Sequence, residues 1–189
     1  YIGLEVAATL CQMGLSVSVI EAADRLLARV ASPSVARLLA ELHRTHGVSV
    51  YTGIGVEKII KESGSFEGVT LSNGTILKGD MLVVGIGVTP NSYLACQAGI
   101  ETEYSSGGAI VVNEFLQTNN RDVFAIGDVA LKRGQSLRIE SVHNAQDSAA
   151  RAAAAITGKA PPKLQAPWFW SDQYDISLQS VGIVPTDVD

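Results

Sequence analysis

The chain has 189 residues, 47% hydrophobic and 17% charged, enough to bury a sizeable core in one domain or two small ones. With 14 basic against 19 acidic residues the net charge is −5, which argues against a nucleic-acid surface. It holds no 18-residue apolar window and no basic leader followed by an apolar core, so the expectation is a soluble, cytoplasmic protein without membrane attachment.

The chain opens at Tyr1-Ile2-Gly3-Leu4-Glu5, without Met and inside a helical pattern, and is therefore expected to be a piece of a longer chain. From Ile2 to Met13 the apolar residues are nearly continuous, while Glu5, Thr9 and Gln12 draw one polar stripe on an otherwise buried helix. Gly14 breaks that helix, and Leu15 to Ile20 alternates at period two before ending at Glu21. In a dinucleotide-binding unit the third glycine of GxGxxG opens the helix, and an acidic residue at the end of the second strand takes the ribose hydroxyls. Gly3 fits the tail of that motif, and Glu21 sits at the strand end. A carboxylate there accepts from a free 2′-hydroxyl and repels a 2′-phosphate, favouring NAD over NADP. Arg25 points the other way, since a nearby Arg serves a 2′-phosphate, and Glu21 also reads as an ordinary solvated strand end. Glu5 likewise has two readings: a carboxylate favourable to the helix dipole on the first turn, or a group at the mouth of a nucleotide site.

Ser34 to His46 shows Val35, Leu38, Leu39 and Leu42 at helical spacing after Ser32-Pro33 and stops at Gly47. His43 and His46, at its end, are expected on the surface. A short strand Val48 to Val50 follows. The pattern turns β from Ile54 to Lys78, with Asn73-Gly74 between Val69–Ser72 and Thr75–Lys78 as a two-residue hairpin. Met81 to Val84 reads as a buried strand delivering the loop Gly85-Ile86-Gly87-Val88-Thr89-Pro90-Asn91, whose glycines let backbone approach a ligand. A helix at Ser92 to Ala98 and a strand at Ala109 to Val112 come next. Cys11 and Cys96 lie far apart in helical segments, form neither a CxxC nor a metal cluster, and are expected as reduced, packed thiols.

The central stretch is Thr118 to Asp128. Its apolar run Val123 to Ile126, stopped by Gly127 and then Asp128, reads as a buried parallel strand delivering one carboxylate to a ligand crevice; a turn Asp capping the next segment is the plainer alternative. Arg138 to Gln146 enters an Ala-rich helix running to about Thr157, and its alanines imply close approach to a neighbour. Lys159 to Lys163 is a linker, after which the chain resumes at Ala166.

With these segments in order, the chain resembles the FAD-dependent ferredoxin, rubredoxin and putidaredoxin reductases that feed oxygenases, within the pyridine nucleotide-disulfide oxidoreductase superfamily. The resemblance is carried by GLEVAATL, the strand end Glu21 to Arg25, GIGVTPN, the Thr118 to Asp128 stretch, RIESVHNAQ and PWFWSDQYD. The first five are shared with many flavin disulfide reductases and NADH oxidases; PWFWSDQYD discriminates, resembling the opening of the ferredoxin-reductase third domain. The implied fold is α/β: a Rossmann-like NAD-binding domain with an antiparallel β insertion (1–104), the C-terminal half of a Rossmann-like FAD-binding domain (105–160) and the start of an α+β interface domain (164–189).

The resemblance implies two cofactors, NAD and FAD. On the NAD side it implies Gly3, Glu5 at the nicotinamide amide, Glu21 at the adenosine ribose with Arg25 beside it, and the Gly85-Ile86-Gly87 loop. On the FAD side it implies Gly127 with Asp128 on the ribityl chain, Ser141, Val142 and Asn144 at the helix that approaches the flavin pyrimidine edge, and Trp168 and Trp170 walling the electron-exit side. A helix N-terminus there stabilises negative charge on reduced flavin. No catalytic acid or base and no metal is implied, because hydride transfer followed by two one-electron steps needs orientation, electrostatics and exclusion of water. The implied partner is a ferredoxin or rubredoxin-type carrier, with Arg133 and Arg138 as candidate docking charges. Without the pyrophosphate-binding half of the FAD site, these residues alone are expected to bind FAD poorly. A disulfide reductase or NADH oxidase relative, and a non-catalytic dinucleotide-binding module, are the alternatives.

Overall fold

The structure, a computed structural model, describes residues 1–28 and 30–183. The end of the expected third-domain opening, 184–189, lies outside the described residues. Contacts divide the chain into two units, residues 1–86 with 170–178 and 183, and residues 87–169 with 179–182.

The first unit begins with α1, Ile2–Gln12, which buries Leu4, Ala7 and Ala8 and leaves Thr9 and Gln12 exposed, as the polar stripe requires. Strand β1, Ser18–Glu21, is followed by α2, Pro33–Thr45, and β2, Ser49–Thr52. β1 and β2 pair in parallel from Ser18↔Ser49 to Glu21↔Thr52, with α2 as the crossover, which is the βαβ repeat expected of a dinucleotide fold. Ser32 caps α2, its Oγ accepting from Val35 N at 3.4 Å, and Pro33 supplies a first turn that needs no donor.

The buried face of α2 differs from the expected one. It runs Ala36, Leu39, Ala40 and His43, while Leu38 is 58% exposed. His43 is therefore not a surface residue: it fills the fourth position of the apolar stripe and is fully buried. Leu39 is 1% exposed and joins Leu4, Leu26, Leu27 and Ala31 in the core of this unit, a burial that stabilises by about 2 kcal/mol for the leucine alone.

The β insertion forms as read. Strands β3, Val56–Glu62, β4, Ser65–Leu71, and β5, Ile76–Lys78, make an antiparallel sheet in that order. The Asn73-Gly74 turn closes with Leu71 N donating to Thr75 O at 2.8 Å. Gly68, at φ +151°, lies so close to β5 that a Cβ would stand 2.3 Å from Leu77 O.

Met81 to Val84 corrects the expectation of a buried strand. It adopts no strand conformation, and Met81, Val83 and Val84 are exposed by 71%, 50% and 64%. An apolar run becomes a central strand only between neighbours that pair with it, and among the described residues β1 and β2 form a sheet of two.

The second unit contains α3, Tyr93–Gln97, β6, Thr102–Glu103, β7, Ala109–Val112, β8, Ala130–Lys132, and α4, Val142–Thr157. All four residues of β7 are buried; it pairs antiparallel with β6 and parallel with β8. Its Ile110 and Val112 form the core with Ile100, Leu116, Ala125 and Ala152. Strands β9, Trp168–Gln173, and β10, Ile176–Val181, pair across Tyr174-Asp175; residues 170–178 at the tip belong to the first unit and the base to the second. Among the described residues no helix is long and apolar enough to cross a membrane, and no cluster of His, Cys, Asp and Glu is arranged to hold a metal ion.

Candidate functional site

In the second unit the Thr118 to Asp128 stretch folds differently from a parallel strand. Its polar half builds a tight loop: Thr118 Oγ1 donates to Asn120 O and accepts from Asn120 N, and Val123 N returns to Asn120 O. Asn119 ties the loop to its neighbour, accepting from Glu101 N at 2.9 Å and donating to Gly99 O. The apolar half then pairs back antiparallel, with Phe124 opposite Gln117 and Ala125 N donating to Leu116 O. Val123 and Ile126 are 37% and 42% exposed, so only Ala125 is fully buried. The expected buried strand at Val123 to Ile126 is thus a returning loop. The parallel partner of β7 is β8, which begins two residues after Asp128.

Gly127 turns the chain at φ +68°, where a residue without Cβ is unstrained. Its N–H donates to Ser148 Oγ at 2.9 Å, and a Cβ on it would lie 3.7 Å from Ala145 Cβ. The small side chain of Ala145 on α4 is what permits this approach, while Ala152 of the same helix packs into the core. Asp128 follows on a single 3-10 turn, Gly127–Val129, with its side chain exposed. Arg138 Nη1 donates to Asp128 O at 2.6 Å, fixing the backbone. Among the described residues the Asp128 carboxylate itself accepts no hydrogen bond.

Helix α4 starts beside this turn. Ser141, in extended conformation, caps it by accepting from Asn144 N at 3.1 Å, and Asn144 Nδ2 reaches back to Ile139 O at 2.7 Å. The N–H groups of Val142 and His143, first in the helix, have no acceptor within it, and Val142 is 55% exposed. A small cleft is lined by Gly127, Asn144, Ser148 and Ile139 among others. His143 Nε2 pairs with Gln165 at 3.1 Å and the ring lies tilted against Trp168 at 5.7 Å, while its buried Nδ1 has no partner among the described residues. A carboxylate without a partner among the described residues and the open N–H groups of a long helix thus share one turn-and-helix contact.

In the first unit Gly3 and Gly85 meet: a Cβ on Gly85 would lie 3.4 Å from both Cα and N of Gly3. The close approach expected of the Gly85 loop is made to the start of α1, and Ile86 beyond it is 87% exposed. Gly87, at φ +104°, falls in the second unit. Glu21 ends β1 half-buried, one oxygen accepting from Ala23 N at 2.9 Å. Arg25 is committed to backbone, Nη1 on Ala31 O at 2.9 Å and Nη2 on Ala28 O at 3.2 Å. A guanidinium so used ties down the loop after β1.

Glu5 lies half-buried on the first turn of α1 and accepts from Ser171 Oγ at 2.7 Å. Ser171 is one of three buried polar side chains in a row: Gln173 Nε2 donates to Ser171 Oγ at 3.0 Å, and Gln173 Oε1 stands 2.9 Å from His43 Nε2. Tyr174 OH is 3.0 Å from His43 Nδ1, and His46 stacks on the Tyr174 ring at 3.8 Å. Burial lowers the His43 pKa, the Gln173 hydrogen bond partly offsetting it and the nearby His46 charge adding to it. Burial, with the neighbouring Cys11 thiol, pushes the Tyr174 phenol up to about 12. Sequence reading missed this chain, because His43 looked like a helix-end surface residue and Ser171 and Gln173 carried no signal beyond their alternation in β9.

Other expectations need correcting. Cys11 is part-buried, its thiol donating to His46 O, but Cys96 is exposed on α3, a helix that buries no residue fully; both are free. Arg133 makes a two-pronged pair with Glu101 at 3.0 and 2.6 Å, which holds the Glu101 carboxyl below its usual range. The Arg138 side chain is only 12% exposed and pairs with Glu140 at 2.5 Å. Neither is a free docking charge: both already have acidic partners. Trp168 is part-buried in the second unit; Trp170, 42% exposed, belongs to the first.

Residues 1–149 match the family described as pyridine nucleotide-disulphide oxidoreductase. The chain is 44% identical over 189 residues to the 5,5'-dehydrodivanillate O-demethylase ferredoxin reductase subunit of Sphingobium sp. (strain NBRC 103272 / SYK-6), covering 97% of this chain and 45% of that protein. Among solved structures it is similar to the ferredoxin reductase for the CYP199A2 system of Rhodopseudomonas palustris, with a TM-score of 0.90 and 42% identity over 97% of this chain and 45% of that one. It is also similar to the reductase in the covalent putidaredoxin reductase–putidaredoxin complex, with a TM-score of 0.91 and 40% identity over 97% of this chain and 44% of that one. The chain therefore spans less than half the length of the relatives it matches. The α/β fold of paired parallel strands, crossover helix, antiparallel insertion and turn-bound Ala-rich helix is that of the pyridine nucleotide-disulphide oxidoreductase family, to which this chain belongs.

Proposed function

We propose that the protein containing these residues is an NADH-dependent flavoprotein reductase that passes electrons through FAD to a ferredoxin or rubredoxin-type carrier, as the reductase component of an oxygenase system. The observation that carries this reading is the Asp128 carboxylate, without a partner among the described residues, beside the open N–H groups of α4. A carboxylate exposed on a rigid turn accepts from ligand hydroxyls, and a helix N-terminus stabilises negative charge on a ring held against it. Those residues fit FAD, with Asp128 on its ribityl hydroxyls and Ser141, Val142 and Asn144 forming the helix start; bound flavin would take up a hydride and release single electrons. On the first unit, Gly3 and Gly85 keep the backbone close, Glu5 and Glu21 each have an oxygen free of any partner among the described residues, and Arg25 is occupied. That set suits a dinucleotide with a free 2′-hydroxyl, NAD. Trp168 and Trp170 are proposed at the electron-exit side.

The domain assignment belongs to the same proposal: 1–104 for NAD, 105–160 for FAD, and 164–189 opening an interface domain. So does a cytoplasmic location, where NADH is supplied. The similar structure of putidaredoxin reductase joined to putidaredoxin supports a carrier protein as the partner.

The test is the full-length protein, assayed for bound flavin and for steady-state oxidation of NADH and NADPH with ferredoxin, ferricyanide and a small disulfide as acceptors. The expected result is one FAD per protein, preference for NADH, and electron flow to ferredoxin and ferricyanide. Absence of flavin, or turnover with the disulfide in place of ferredoxin, would overturn the reading.

A further inference from the structure

The polar chain from Tyr174 to Glu5 runs through side chains that are almost wholly buried: His43 at 0%, Ser171 at 1% and Gln173 at 1% exposed. Buried polar groups cost stability unless each donor and acceptor is matched, and apolar residues of the same size would fill these positions without that demand. Their hydrogen-bond directions are fixed from one end. At that end Ser171 Oγ–H donates to Glu5 Oε1. With its one proton committed, Ser171 must accept from Gln173 Nε2. That turns Gln173 Oε1 toward His43, which must carry its proton on Nε2. His43 Nδ1 is then an acceptor, and Tyr174 OH donates to it.

Every donor in the row points toward Glu5, and such aligned chains polarise one another. The row stops at the Glu5 carboxylate, whose Oε2 has no partner among the described residues, on the first turn of the helix that Gly3 opens and Gly85 touches.

We propose that Ser171, Gln173 and His43 are positioning residues for Glu5: they occupy Oε1 from behind and hold the carboxylate so that Oε2 accepts from the carboxamide NH2 of a bound nicotinamide. This rests on the reading of the first unit as an NAD site. None of the three touches the ligand; they act through Glu5.

The test compares NAD+ with ADP-ribose, which lacks the nicotinamide, by calorimetric titration of the full-length protein. Ser171→Ala is expected to weaken NAD+ binding about fivefold, the worth of one ordinary hydrogen bond, and to leave ADP-ribose binding unchanged. Ser171→Thr, which keeps the hydroxyl, is expected to restore NAD+ affinity. Independently of any variant that fails to fold, nitrogen NMR of the wild-type His43 ring should show Nε2 protonated and Nδ1 bare, and both signals should move on NAD+ binding more than on ADP-ribose binding. Equal losses for the two ligands, no loss for either, a proton on Nδ1, or an identical His43 response to both would overturn the proposal. Wild-type protein that binds neither ligand would instead overturn the NAD reading on which it stands.

Discussion

Ser148→Ala probes the link between α4 and the turn that presents Asp128. Ser148 is 6% exposed; its oxygen accepts from Gly127 N at 2.9 Å and donates to Ala145 O at 3.1 Å. Removing it leaves the Gly127 N–H facing alanine methyls, an unsatisfied donor that costs about 1–3 kcal/mol. Alanine returns about 0.5 kcal/mol in helix propensity, so a net loss of about 0.5–2.5 kcal/mol is expected. If that loss falls on the turn, flavin affinity drops roughly 2- to 60-fold, since each 1.4 kcal/mol or so is a factor of ten. The assay is a urea midpoint together with flavin titration of the apoprotein. Thr157→Ala is the control on the same helix: its hydroxyl donates to Ala153 O at the exposed C-terminal end, where changes stay within about 0.5 kcal/mol. A Ser148→Ala protein as stable as that control, with undiminished flavin affinity, would refute the idea that α4 holds the turn through Ser148.

Other outcomes follow from single features. Gly68→Ala puts a Cβ 2.3 Å from Leu77 O, backbone that cannot swing aside, so β5 must separate from β4 at a cost of more than about 3 kcal/mol; a thermal midpoint within a degree of wild type would contradict it. Ser141→Ala removes the α4 cap and should cost about 1 kcal/mol, read as a lowered urea midpoint. Glu21→Gln should narrow the ratio of NADPH to NADH dissociation constants about tenfold by removing a charge that repels a 2′-phosphate, and an unchanged ratio would move that selectivity elsewhere. Because burial lowers the His43 pKa, the unfolded chain takes up a proton there before the folded one does. The stability of neutral His43 is therefore fully present above about pH 6.5 and is lost as pH falls through and below it. The stability difference between wild type and His43→Leu should shift against wild type on acidification from about pH 7.5 to pH 5.5, and a constant difference would count against the burial argument.

The elements easiest to read in the sequence were those whose signals are local. The Asn73-Gly74 turn and the Ser32-Pro33 start of α2 each carry their own backbone chemistry, and each formed. Met81 to Val84 and Val123 to Ile126 failed for one shared reason. An apolar run states that a segment can be buried, but whether it pairs depends on which neighbour lies alongside, and that is a long-range fact. Phe124 opposite Gln117 shows the competing answer, a local antiparallel return that the Thr118-Asn119-Asn120 turn makes available. His43 was misjudged for a related reason: polarity suggested surface, while the spacing Ala36, Leu39, Ala40, His43 already placed it on the inner face. Its partners Gln173 and Tyr174 lie at the end of β9 and in the turn after it, far along the chain.

Candidate ligand groups separate by a test that sequence cannot apply, namely whether their hydrogen-bonding capacity is already used. Arg25, Arg133 and Arg138 have the residue type that phosphate or an acidic partner would choose, yet each is engaged by backbone carbonyls or by a carboxylate. Recruiting any of them to a ligand would first break those contacts, so their net attraction is small. Asp128 is the reverse case: its backbone is pinned by Arg138 and its neighbour Gly127 by Ser148, while its carboxylate has no partner among the described residues. Rigid backbone with an uncommitted side chain is the arrangement that binds without further ordering cost. Glu5 and Glu21 lie between, each with one oxygen held and one left over. The held oxygen sets the direction in which the other can accept, so these two carboxylates select for ligand geometry as well as charge. For that reason Ser171, which touches no ligand, should influence nicotinamide recognition more than Arg25 influences the ribose.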